Sequence, residues 1–143
     1  MFVLDTNILV AALYSRNGAS NWLLERTIAG HIPVAVSVAL ALEYEAVLMR
    51  DETRQASNLG VADIDTVLDA LLARALLVEP IRFRQRPALA DPDDDMLLEC
   101  AIEANASAIV TMNTRDFAGA RQYGVNVLRP GELVAELRRK GLS

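Results

Sequence analysis

Short apolar runs alternate with segments of helical period along the chain, and this alternation constrains the fold more than any other feature. The runs Phe2–Leu4, Pro33–Val36, Leu77–Pro80, Ala108–Met112 and Val125–Leu128 read as strands. Between them, helical periodicity covers Ser20–Ile28, the stretch from Ser37 to Arg50, Ile64–Leu77, and about Pro92 to Ala104. The clearest stripe is Ile64, Val67, Leu68, Leu71 and Leu72. Ser37 is placed to cap its helix, and the polar stretch Asp51 to Gly60 is expected to be a turn or a helix–helix connection. Pro130 opens a last helix that ends in Arg138, Arg139 and Lys140, cations suited to the negative end of its dipole. Strands separated by helices imply a parallel sheet covered on both faces, and parallel strands so buried read as unbroken apolar runs. The pattern therefore predicts an α/β sandwich. In open sheets of this kind, ligands bind beyond the carboxyl ends of the strands.

The length, 143 residues, fits one domain spanning 1–143, and a hydrophobic fraction of 52% is ample for its core. No apolar run approaches the ~20 residues that cross a bilayer, so no membrane association is expected. The opening MFVLDTNILV carries no basic leader and is expected to be a strand rather than a signal peptide. Cys100, the sole cysteine, cannot form an internal disulfide, and a cytoplasmic location is the expectation. The net charge of −5 argues against a plain nucleic-acid-binding module, which would present a basic surface. It does not argue against a nuclease, because carboxylates can hold divalent cations that offset their own charge and that of a phosphate.

Asp5 directly follows the first strand, where an aspartate can equally serve as a turn or helix-cap residue. Glu43 lies on an apolar stripe with Leu40 and Val47, a costly position for a carboxylate without a partner. Glu45 has equally apolar neighbours, so periodicity does not choose between the two. Asp91-Pro92-Asp93-Asp94-Asp95 has the form of a capped helix start with acids in its first turn. Yet a cap needs only one or two of these four carboxylates. Asp94 shares a helix face with Leu97, Leu98 and Ala101, which turns it toward the sheet. Asn113 and Asp116 follow the strand Ala108–Met112, where with Thr111 they can form a hydrogen-bonded turn. Taken together, two strand ends and two helices can bring Asp5, Glu43, Asp94 and Asn113/Asp116 to one crevice. An all-oxygen donor set without cysteine or histidine suits Mg2+ or Mn2+ rather than zinc.

These residues resemble the PIN domain, and within it the VapC-like toxin components of toxin–antitoxin systems. The matching strings are LDTNILVAAL (4–13), SVALALEYEAVLMR (37–50), LDALLARALLVEP (68–80), DPDDDMLLECAIEANASAIVT (91–111) and NTRDF (113–117). The resemblance implies a three-layer α/β/α sandwich with a central parallel sheet and an acidic pocket that binds Mg2+ or Mn2+ and cuts RNA. By position, Asp5 matches the first acid, Glu43 the second and Asp94 the third. Asp91 is typical of the subgroup, and Asp95 takes the third place if the register slips by one. For the fourth acid, Asn113 stands where many relatives carry aspartate, and Asp116 is a common member of the same motif. Loss of one negative charge at Asn113 puts a second metal in doubt. The resemblance also implies a cognate antitoxin that blocks the crevice, and a homodimer.

The reaction so implied is metal-dependent phosphodiester hydrolysis, with Asp5, Glu43, Asp94 and Asp116 as catalytic metal ligands. Thr6 and Thr111 are candidates for a hydrogen bond to the phosphate or to a carboxylate. Arg16, Arg115 and the alternating Arg82, Arg84 and Arg86 are candidates for phosphate contacts, although the last three read more readily as one solvated edge. His31 has no nucleophile beside it in the sequence, and covalent hydrolase chemistry lacks its usual pairs. A haloacid-dehalogenase-like phosphatase would need an aspartate where Asn7 stands, and a receiver domain a lysine after a late strand, whereas Lys140 is the sole lysine. The rival outside enzymology is a PIN-like module that binds RNA or protein without cutting.

Overall fold

Why the apolar runs pair as they do is visible in a computed structural model, which describes residues 1–82 and 92–143. The chain runs β1 (Phe2–Leu4), α1 (Thr6–Tyr14), α2 (Ala19–Ile28), β2 (Ala35–Val36), α3 (Val38–Leu48), α4 (Asp51–Ser57), α5 (Val61–Arg74) and β3 (Leu76–Leu77). It continues with α6 (Pro92–Glu103), β4 (Ala108–Val110), a 3-10 segment (Thr114–Tyr123), β5 (Asn126–Leu128) and α7 (Pro130–Arg139). Every strand pairing among the described residues is parallel: β1 with β4, β4 with β5, and β2 with β3. A bridge between Phe2 and Val34 joins the two groups, giving the order β3-β2-β1-β4-β5. Val3 lies opposite Ile109 and Leu4 opposite Val110. All four are at most 1% exposed. Successive strand residues face opposite sides, so burial of both successive pairs means that both faces of the sheet are covered. Helix α6 packs on β1, β2, β4 and the 3-10 segment, while α2 packs on α1, α5 and α7. The architecture is a three-layer α/β/α sandwich, as the sequence leads one to expect.

Ser37 caps α3 as its position suggests, its hydroxyl accepting the Leu40 N–H at 3.1 Å, a contact worth about 1 kcal/mol. Other boundaries differ from the sequence reading for identifiable reasons. The polar stretch after Arg50 is a helix, α4, and not merely a connection. Asp51 and Glu52 sit in its first turn at the positive dipole end, and Asn58 ends it in the left-handed conformation at φ 58°. Its one buried residue, Thr53, donates to the Val47 carbonyl at 3.0 Å, which ties α4 back to α3. Helix α5 starts at Val61, earlier than the apolar stripe alone indicates, because Asp63 accepts the Gly60 N–H at 3.0 Å. It stops at Arg74, and the residues expected to continue it form β3. Of its stripe, Ile64, Leu68 and Leu71 are buried whereas Leu72 is exposed. The second strand is shorter than the run Pro33–Val36.

Candidate functional site

The carboxyl ends of β1 and β4 lie side by side, and the backbone carries the pairing one residue further: the Asp5 N–H donates to the Val110 carbonyl at 2.9 Å. Asp5 then takes extended dihedrals (φ −65°, ψ 148°) and becomes the residue from which α1 starts. Its carboxylate lies near the N–H groups of Thr6 and Asn7 that open the helix, although no complete side-chain cap bond forms there. Oδ2 also accepts a 2.7 Å hydrogen bond from the Thr111 hydroxyl across the sheet. Thr111 is fully buried, and its oxygen also accepts the Asn113 N–H at 3.1 Å. With its one proton committed to Asp5, Thr111 thus relays between the two strand ends. Asn7 adds a second stitch, its Oδ1 accepting the Met112 N–H at 3.3 Å. Of the two roles open to Thr111 in the sequence, contact with a carboxylate is the one the geometry displays. Thr6 is nearly buried, at 8% exposure.

Burial dominates the electrostatics of Asp5 and raises its carboxyl above the ordinary value. The Thr111 hydroxyl and the neighbouring N–H groups of Asn7 and Thr6 oppose that shift, and the charge of Asp116 adds to it. Asp5 and Asp116 therefore stand close enough to repel. Asp116 itself is exposed, and its N–H closes a turn on the Asn113 carbonyl at 3.1 Å. Asn113 is also exposed, and its side chain makes no cap bond to the 3-10 segment. The turn is formed by backbone groups and the Thr111 hydroxyl, and both side chains stay exposed.

The helices bring in the other acids. Tyr44 is buried on α3, and its hydroxyl donates to the Leu4 carbonyl at 2.5 Å, anchoring α3 to the peptide just before Asp5. Its neighbour Glu43 is half-buried, while Glu45 is exposed. The structure thus distinguishes two glutamates that periodicity treats alike. Tyr44 is a positioning residue that sequence reasoning missed. Its signal was a lone tyrosine in an apolar helix, a residue type that finds a polar partner when buried. On α6, Asp94 and Asp95 are both half-buried, and neither is free of interactions. Cys100, farther along α6, is hydrogen-bonded with Ser37 at the start of α3, which ties the two acid-bearing helices together. Asp91, Arg84 and Arg86 lie outside the described residues. Arg16, Arg82 and Arg115 are exposed, as is His31.

The donor chemistry of Asp5, Glu43, Asp94 and Asp116 is all oxygen, which fits a hard divalent cation. The Asp5 carboxylate, half-buried, with one oxygen fixed and a like charge nearby, is a group that a cation would relieve. Among the described residues, no three Asp, Glu, His or Cys side chains are already gathered in a geometry that would hold a metal ion. Binding would therefore require the carboxylates to close on the ion.

A family model described as PIN domain matches residues 1–115, which takes in β1, α3, α6, β4 and the Asn113 turn. No curated protein matches the chain.

Proposed function

The chain belongs to the PIN domain family, whose fold is that of metal-dependent nucleases, and on that premise we propose that it is an Mg2+- or Mn2+-dependent endoribonuclease, the toxin of a toxin–antitoxin pair. The observation that carries the proposal is the Asp5 carboxylate. It stands at a helix start, near the N–H groups of Thr6 and Asn7, and is also held by Thr111 across the strand ends.

Asp5, Glu43, Asp94 and Asp116 would hold the ion, with Asp91 or Asp95 as a further donor and Asn113 as a neutral one. A bound divalent ion supplies charge neutralisation at the phosphate and an acidified water for in-line attack. The protein's own part is orientation. Thr111 fixes the rotamer of Asp5, and Tyr44 fixes the helix carrying Glu43 to the end of β1. Asp116 sits on an exposed turn and can move toward the ion without disturbing the core. The cognate antitoxin would cover this acidic end of the sheet, and the active form would be a cytoplasmic homodimer of a single-domain chain.

The test is cleavage of single-stranded RNA with Mn2+ or Mg2+, compared with EDTA and with Asp94→Asn. The expected result is metal-dependent cleavage that Asp94→Asn loses while its thermal unfolding stays that of wild type. Equal cleavage by both proteins, or none by wild type with either ion, overturns the proposal. The second outcome would favour the rival reading, a PIN-like module that binds RNA or protein without cutting. Asn113, standing where an acid would add charge, is the feature that favours that reading.

A further inference from the structure

Beside the Asn113 turn, the 3-10 segment, β5 and the start of α7 enclose a cavity of about 430 Å³. Arg115, Arg121 and Arg129 line it together with Thr114, Phe117 and Glu132. Three arginines lining one cavity stand out in a chain of net charge −5. Arg115 and Arg121 are exposed, and among the described residues neither forms an ion pair. Glu132, the carboxylate in the lining, is engaged locally: it accepts the Arg129 backbone N–H at 2.8 Å and so caps α7. Arg129 donates through Nη1 to the Met112 carbonyl at 3.3 Å, which fixes one wall of the cavity to the residue before Asn113. The first turn of α7 adds the positive end of its dipole. Phe117 is fully buried and offers no ring face for stacking.

We propose that this cavity is a polynucleotide-backbone groove, in which Arg115, Arg121 and Arg129 hold phosphates adjoining the one presented to Asp5 and Asp116. Guanidinium forks match phosphate oxygens bidentately, and contacts of this kind position a strand without reading its bases. Without a stacking platform, the groove gives affinity that is tolerant of sequence and steeply dependent on salt. The inference rests on the nuclease reading for the direction of the strand, but its test does not depend on cleavage.

Fluorescence anisotropy of a labelled oligouridine is measured in Mg2+ with Asp5→Asn protein, and again with Arg115→Gln/Arg121→Gln added. Arg129 is left intact because it also holds the Met112 carbonyl. The double change is expected to weaken binding about tenfold or more and to flatten the log Kd against log salt slope by about 1.4, two contacts at ~0.7 each. Arg139→Gln, at the opposite end of α7, serves as the control, and unfolding curves verify that each variant is folded. Unchanged affinity and slope in the double variant overturn the groove, as does an equal loss in Arg139→Gln or no binding by the Asp5→Asn parent. Oligoglutamate displacing the RNA at lower concentration than unlabelled oligouridine also overturns it, in favour of an acidic protein segment. Failure of the nuclease reading is a separate result: wild type leaves RNA intact with Mn2+ whether or not the anisotropy responds.

Discussion

Two walls of opposite charge flank the end of β4, and they are built in opposite ways. On the acidic side, Asp5 is tied by its backbone to Val110 and by its carboxylate to Thr111, and Tyr44 clamps the preceding peptide. On the basic side, Arg115 and Arg121 stand exposed, and Arg129 has a single side-chain bond to Met112. Asp5 borrows its rigidity from buried strands, whereas Arg115 and Arg121, like Asp116, hang on a 3-10 segment with a kink at Phe117. Groups that must meet a reacting centre need a fixed geometry, because a displacement of about 1 Å can cost ~100-fold in rate. Groups that only attract a phosphate backbone need charge and reach. The difference predicts that substitutions on the first wall alter chemistry and stability together, and that those on the second alter affinity and its salt dependence alone.

The largest effect belongs to Asp5→Asn. If Asp5 is a metal ligand as proposed, its loss should lower RNA cleavage by at least ~100-fold, since even supporting residues around a metal cost 10–100-fold. The same change should raise stability in metal-free buffer. Burial lifts the folded Asp5 above the unfolded value near 3.8, so just above that pH the folded chain holds more protons than the unfolded one. Stability therefore falls as pH rises through that window, and the full penalty persists at neutral pH. Asparagine carries no such charge and escapes the penalty. Thermal melts of both proteins with and without Mn2+ decide the matter: Mn2+ should stabilise wild type and leave Asp5→Asn unmoved. A variant melting below wild type, with the same Mn2+ shift, would break the contrast between the walls.

Thr111→Val sharpens it. The substitution keeps the shape but removes the donor to Asp5 and the acceptor for Asn113, so a drop of about 10–100-fold in cleavage is expected. Leaving the half-buried Asp5 carboxylate without this donor should also cost about 1 kcal/mol in urea unfolding. Thr114→Val, on the cavity side of the turn, should stay within about 0.5 kcal/mol. Equal losses from the two would mean that the walls do not differ in rigidity. A smaller pair of changes compares Glu43→Gln with Glu45→Gln. The half-buried Glu43 should carry a loss of about tenfold or more in cleavage or metal affinity, and the exposed Glu45 none that an assay resolves.

How much of this was legible in the sequence depended on whether a segment's burial leaves a period. Val3-Leu4 and Ile109-Val110 are buried on both faces, so they appear as unbroken apolar runs, and the parallel sheet could be read directly. The strand expected of the opening MFVLDTNILV stops at Leu4 and gives way to helix α1, which shows no period because Ile8, Leu9, Val10, Ala11, Ala12 and Leu13 are apolar nearly all round and give no stripe. Helix α4 was hidden for the opposite reason: it buries only Thr53. The acidic residues stood out at strand ends, where fold topology assigns them meaning, but Glu43 and Glu45 have equivalent neighbours and only the packing separates them. Arg121 and Arg129 were illegible. With Lys140 the sole lysine among 14 basic residues, an arginine at any position carries little information until three of them line one cavity.

The smallest expected effect tests whether the acid-bearing helices are as tightly packed as the comparison requires. Cys100 is fully buried between α6 and the start of α3, and burial pushes its thiol up to about 11, with the hydrogen bonds to Ser37 pulling part of the way back. In the unfolded chain the same thiol ionises near 9.0. Between those two values the folded protein keeps a proton that the unfolded chain has released, so stability should decline as pH rises from 9.0 toward 11. Tyr44, whose phenol is raised well above 10.0 mainly by burial, acts in the same direction at the upper end. The arginines of the other wall stay charged throughout and contribute nothing to the slope. Urea midpoints at pH 8, 9 and 10 should therefore fall more steeply in wild type than in Cys100→Ala. Alkylation of Cys100 at pH 8 should proceed only as fast as the fold opens, because the thiol is protonated and out of reach. Parallel declines in the two proteins, or rapid labelling of the native chain, would show that α6 is loosely seated, and Asp94 would then have no firmer mounting than Arg121.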